Sequence, residues 1–209
     1  MAIPVSEILS KVGVVLNDTG FVRWLKDELI GWINDAAAEV VIRRPSAGAV
    51  VEMTALVAGV NQQIPAGGIE ILDILATADG YAVRRCDRQL LDDQYPGWRR
   101  QKQSARIKHY TFDERTATQF VVYPPAIAGA EVELMYSRPP AAVTTDADTL
   151  NIDRAYLSPI ISFVLYRAQA KDFEYGDGTI AAAHYQAFNE SIGARNEAAA
   201  AVSPNVSSV

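Results

Sequence analysis

The spacing of apolar residues changes twice along the chain and divides it into three regions. Over about residues 5–44 the spacing is helical. Val5, Ile8, Leu9, Val12 and Leu16 predict a first helix, and Asn17-Asp18-Thr19-Gly20 breaks it. Val22, Leu25, Leu29, Ile33, Ala36 and Val40 then recur at three- and four-residue steps and predict a second, with Trp32 beside the stripe and Lys26, Asp27, Asn34, Asp35 and Glu39 off it. Arg43-Arg44-Pro45 closes this helix. Cations suit a helix C-terminus, and proline stops propagation.

In the middle region, about 46–143, short β-like runs alternate with turn residues. Strands are expected over residues 50–58, 69–77, 81–86, 106–113, 119–123 and 131–137. In the last of these, Glu131, Glu133 and Tyr136 interleave with Val132, Leu134 and Met135, the pattern of a one-sided strand. Gly67-Gly68, Asp79-Gly80, Pro96-Gly97, Pro124-Pro125 and Pro139-Pro140 punctuate the region, and Asp79-Gly80 between two apolar runs predicts a hairpin.

The third region, about 152–200, is helical again. Ser158-Pro159 reads as N-cap and first helical residue, and Ile160, Phe163, Val164 and Ala168 give the apolar face. Glu174-Tyr175-Gly176 is the expected end, with glycine at the C′ position. A last helix is expected over 179–200, with Ile180, Ala183, Ala187, Phe188 and Ile192 on one side. The fold expected is α+β: a helical bundle from residues 1–45 and 152–201, a β-rich inserted lobe over 46–151, and a flexible tail at 202–209.

Composition narrows the function. The chain has 209 residues, and its net charge of −6 gives no overall field that attracts nucleic acid. With Cys86 as the one cysteine, no intramolecular disulfide and no thiolate-only zinc site can form. No run approaches the roughly 18 apolar residues that span a bilayer, and the N-terminus does not read as a secretory signal, so a chain made and kept in the cytoplasm is expected, without membrane contact.

Candidate chemistry is sparse. His109 and His184 have no His, Cys or Asp partner at metal-ligand spacing, and Cys86 has no base near it in sequence. There is no G-x-S-x-G, no phosphate-cradling glycine loop and no H-E-x-x-H, and Asp92-Asp93 lacks a third metal ligand. The sequence predicts no catalytic, metal or cofactor site and no enzyme. Three features stand out instead. Arg99, Arg100, Lys102, Arg106 and Lys108 form a basic stretch without an acid, suited to DNA phosphates or an acidic partner, or simply to a solvated loop and strand edge. Beside it, Tyr95-Pro96-Gly97-Trp98 sets two aromatics in a loop, either for an interface or for packing beneath it. In the third helix, Tyr166, Arg167, Phe173 and Tyr175 widen the apolar face beyond one stripe, as expected of a helix flanked by its own bundle and by a neighbouring subunit.

From the first helix to about residue 193 the chain resembles the head-to-tail adaptor (connector) proteins of tailed bacteriophages. The resemblance rests on Trp24-Leu25-Lys26-Asp27-Glu28-Leu29 with Trp32-Ile33-Asn34-Asp35, on Phe120-Val121-Val122-Tyr123-Pro124-Pro125, on residues 131–137, and on Val164-Leu165-Tyr166-Arg167-Ala168 with Lys171-Asp172, Ala181-Ala182-Ala183-His184-Tyr185 and Phe188. It implies a structural virion protein at the portal vertex. The implied partners are the portal protein, other copies in a ring of twelve, and a downstream tail or nozzle protein, with DNA passing through the channel without specific binding. It also implies that the tail, with Val202, Pro204, Val206 and Val209, is placed to anchor in the portal. A net-negative channel would let DNA slide, whereas a basic one would hold it. A tail-completion or tail-terminator ring protein is the neighbouring alternative. A nucleic-acid-binding module using residues 99–108 is the alternative from another class.

Overall fold

The computed structural model describes residues 2–171 and 178–202, with the side chains of the last helix described through Gly193. The predicted end of the third helix at Glu174-Tyr175-Gly176 lies outside the described residues. The chain forms two compact units. One joins the chain up to Ala47 with the chain from Pro140 onward, and the other is Gly48–Pro139.

In the helical unit, β1 (Ile3–Pro4) pairs antiparallel with β9 (Thr149–Leu150). Residues 140–151, assigned to the β-rich lobe from the sequence, therefore pack with the helices. Two further contacts hold them there: Asn34 exchanges two hydrogen bonds of 2.9 Å with the backbone of Val143, and Lys26 pairs with Asp146 at 2.7 Å.

Helix α1 (Val5–Val15) buries Val5, Ile8, Leu9 and Val12, the residues its spacing singled out. Helix α2 (Lys26–Arg43) starts four residues later than its apolar stripe suggests, and Val22 and Leu25 are exposed. The physical reason is Asp18. Its carboxylate accepts from the backbone N–H groups of Val22, Arg23 and Trp24 at 2.9–3.0 Å, which holds 18–24 as a loop, and Phe21 adopts a left-handed φ of 54°. The same three donors, Trp24 foremost, hold this carboxyl below the usual range.

Helix α4 (Leu157–Lys171) packs against α1 and α2 and also against α5 (Gly178–Val202). Its start is not the Ser158-Pro159 cap. Asp153 caps a 3-10 turn, Arg154–Tyr156, by accepting from Ala155 N–H at 2.7 Å, and that turn leads into the helix. Pro159 is the third helical residue, where the N–H has no intrahelical acceptor in any case. On α5 as far as Gly193 the buried residues are Ala181, Phe188 and Ile192, while Ile180, Ala183 and Ala187 are exposed, so the buried stripe is rotated from the predicted one. Two contacts explain the rotation. Phe188 meets Phe163 edge-on at 5.2 Å. Arg43, at the end of α2, donates to Tyr185 Oη at 2.9 Å and to Asn189 Oδ1.

The β-rich unit contains β2 (Ala49–Ala55), β3 (Gly59–Gln63), β4 (Glu70–Thr77), β5 (Arg84–Arg85), helix α3 (Arg88–Gln94), β6 (His109–Phe112), β7 (Gln119–Ala126) and β8 (Glu131–Ser137). They form a three-stranded sheet in the order β2-β8-β4 and a four-stranded one in the order β3-β7-β6-β5. β8 matches its predicted bounds, whereas β3 and α3 were not expected. The 81–86 strand shrinks to β5, which runs parallel to β6. The Asp79-Gly80 turn forms, with Gly80 at φ +81°, but its hairpin is a single bridge, Ala76 to Ala82, before the chain moves to the other sheet.

Both sheets contribute inward residues to one core. Ile71, Ile74, Leu134 and Tyr136 come from the first sheet, and Tyr110, Phe120 and Val122 from the second. The unit begins and ends on neighbouring strands: Ala49 pairs with Ser137, and Arg138 N–H donates to Gly48 O at 2.9 Å.

A methyl at Gly68 would lie 2.6 Å from Ile64 Cδ1 and 2.9 Å from the Tyr136 ring. Gly68→Ala is therefore expected to cost about 1–3 kcal/mol through overpacking. A lower urea midpoint at unchanged slope checks it.

Candidate functional site

The basic stretch folds into more than one surface. All five of its cations are exposed, but only some share a groove. Arg99 joins Arg85 and Arg88 at a groove of about 610 Å³ that also presents Thr111, Phe112 and the acids Asp87, Asp113 and Glu114. Arg106 and Lys108 line a second groove of about 310 Å³ with Arg84, Tyr81 and His109, and this lining has no acid. The Arg106 guanidinium lies 3.1 Å from the centre of the Tyr81 ring. Arg100 and Lys102 line neither groove. Arg84 was not among the sequence candidates. Parallel pairing of β5 with β6 brings it opposite His109, which spacing along the chain does not reveal.

The neighbouring aromatics divide. Trp98 is buried and donates its indole N–H to Asp92 Oδ1 at 2.8 Å, whereas Tyr95 is half exposed. Tyr95, Trp98 and His109 each lie 6.1–6.4 Å from the Tyr123 ring. Asp92 thus anchors an indole, and Asp87 caps α3 through Gln89 N–H.

The histidines and the cysteine sit in partly buried positions. His109 Nδ1 is buried and finds no hydrogen-bond partner among the described residues. Burial lowers the His184 pKa, and burial with Asp87 alongside raises that of Cys86. Tyr110 donates to Asp73 at 2.6 Å, and burial and this bond push its pKa well above the ordinary phenol range. Among the described residues, no three His, Cys, Asp or Glu side chains gather where they could hold a metal ion. No helix there is long and apolar enough to cross a membrane.

Of the residues expected at a subunit contact, Tyr166 packs on Tyr185 at 4.8 Å and on Phe163 at 5.8 Å. The second flank that its width suggested is, at this residue, α5 of the same chain. Arg167 is exposed, 3.7 Å from Asp35. Phe173, Tyr175, Pro204, Val206 and Val209 lie outside the described residues, and Val202 is the last residue of α5.

Sequence reasoning missed one apolar surface. On β2, the alternate residues Ala49, Val51, Met53 and Ala55 are all exposed, whereas Val50, Glu52 and Thr54 are half-buried. Both rows contain apolar residues, so a period of two could not tell which one faces the core. Register places Val51 beside Met135, Met53 beside Glu133 and Ala55 beside Glu131.

The model of the SU10 adaptor protein family matches residues 3–208 of this chain. No curated protein matches it.

Proposed function

Because the chain belongs to the SU10 adaptor protein family and is a phage head-to-tail adaptor, a structural component of the virion, we propose that it forms a ring beneath the portal. In this reading twelve copies dock on the portal, extend its DNA channel and give the tail its platform. Assembly takes place in the host cytoplasm. The family match across nearly the whole chain carries the reading.

Other features support it. The helical unit and the β-rich unit are each compact, which suits a protein that must meet different neighbours. The net charge of −6 per copy favours DNA sliding through the channel over DNA held in it. The division of the basic stretch between separate surfaces favours this reading over a dedicated nucleic-acid module. Residues 202–209 continue from α5, and in this proposal they anchor in the portal. No catalytic step or cofactor enters the role.

Native mass spectrometry of the protein mixed with portal rings from the same phage tests the proposal. The expected product gains the mass of twelve chains of 22.7 kDa each. A portal peak with no added mass would overturn the reading and make the tail the partner to test.

A further inference from the structure

β2 has the chemistry of an unfinished sheet. It pairs with β8 through seven residues without a register shift, and among the described residues no backbone hydrogen bond reaches its other side. The other outer strands of this unit are interrupted or short: β3 is bulged between Gly59 and Asn61, β4 is bulged twice and bonded from outside by Val83, and β5 is two residues long. Sheet edges left open to water usually carry lysine, proline or a bulge. β2 carries none of these, its one charge, Glu52, is taken up by Tyr136 on the inward row, and Val51 and Met53 are 45% and 51% exposed.

Charge restricts what can cover this surface. Glu52 and Asp73 accept from Tyr136 and Tyr110 of the core, but Glu131 and Glu133 pair with the exposed row of β2, and β2, β4 and β8 hold no Lys, Arg or His. Residues 84–108 of the same unit hold eight Lys and Arg against three Asp. The strand face therefore repels its own duplicate, because Glu131 and Glu133 would meet Glu131 and Glu133. It matches the groove formed by Tyr81, Arg84, Arg106 and Lys108, whose lining has no acid. The face and the groove belong to different sheets around a common core, so one copy cannot close them on itself.

We propose that neighbouring copies meet head to tail through the β-rich unit, with the apolar and acidic face of β2 and β8 on one copy receiving the Tyr81–Arg84–Arg106–Lys108 groove of the next. The inference rests on the ring reading above. A contact between two different surfaces of one chain repeats from copy to copy, and it closes into a ring when the rotation between copies allows. Burial of Val51 and Met53 supplies the apolar part, and the charges select the partner and its orientation.

The test reverses each side of the contact and then both. Glu131→Lys with Glu133→Lys makes one variant, Arg106→Glu with Lys108→Glu a second, and the four changes together a third. Each is mixed with portal rings and weighed as before. Both two-site variants are expected to show complete rings reduced at least about tenfold, with scattered partial occupancies in their place. The four-site variant is expected to recover them, since its charges match again. Hydrogen exchange on the unaltered protein gives an independent reading: β2 amides not bonded to β8 should gain protection when the ring forms. Complete rings from both two-site variants, or β2 amides that stay unprotected in the wild-type ring, would overturn this contact while leaving the ring standing. A wild-type chain that adds no mass to the portal would remove both.

Discussion

Trp98→Ala is expected to lower the stability of the β-rich unit by about 3–5 kcal/mol, the cost of truncating a fully buried aromatic. Trp98 is 1% exposed and ranks among the largest buried side chains of the chain. Three losses combine. The ring no longer packs against Tyr123, which it meets edge-on at 6.2 Å. Asp92 loses its indole donor at 2.8 Å. The 3-10 turn Trp98–Arg100 loses the one buried residue that holds it down. The damage should be local first. Hydrogen exchange should rise across residues 87–105, and a urea titration read by circular dichroism should give the total. Tyr95→Ala, at a ring 52% exposed, serves as the control and should change stability far less.

Phe188→Ala is expected to have a comparable effect, about 3–5 kcal/mol, on the attachment of α5. Phe188 has no exposed surface. Its ring lies 5.2 Å from Phe163, and the Arg43 guanidinium sits 5.1 Å from its centre. The described part of α5 buries little else besides Ala181 and Ile192, so this ring is its main anchor. Loss of α5 would also open Phe163 and Tyr166 to water. Exchange should accelerate in α5 and along the facing side of α4 while α1 stays protected. If residues 202–209 anchor in the portal, portal affinity should fall with it. Unchanged exchange in α5 would mean that residues other than Phe188 hold it.

The sequence was most legible where one face is cleanly apolar. β8 turns Val132, Leu134 and Tyr136 inward, and its bounds were read correctly, although Tyr136 had been expected with the outward glutamates and Met135 with the inward row. α1 has a single stripe and was equally plain. Reading failed where a side chain outside the pattern decides the backbone. Val22 and Leu25 continue the stripe of α2, yet Asp18 takes the amides of Val22, Arg23 and Trp24 and ends the argument from periodicity. β3, Gly-Val-Asn-Gln-Gln, has no apolar alternation, and pairing with β7 alone makes it a strand. α3 announces itself only through the Asp87 cap, among charges that read as a loop.

The candidate surfaces were legible only in part, for the same reason. The cations at 99–108 are plain in the sequence. That Arg99 parts from Arg106 and Lys108, and that Arg84 joins the latter, depends on strand order, which spacing along the chain does not carry. The exposed row of β2 was hidden because Val50 and Val51 are equally apolar.

The β-rich unit leaves the helical chain and returns to it at Gly48 and Arg138, two residues joined by a hydrogen bond. To the flanking chain the intervening residues 49–137 close like a tight hairpin, so their number adds almost nothing to the entropy of closure. A segment spliced in at a single point can be lengthened, trimmed or exchanged without moving its flanks. Natural variation in this protein should therefore concentrate between these two residues, as whole-module replacements carried on a constant helical frame.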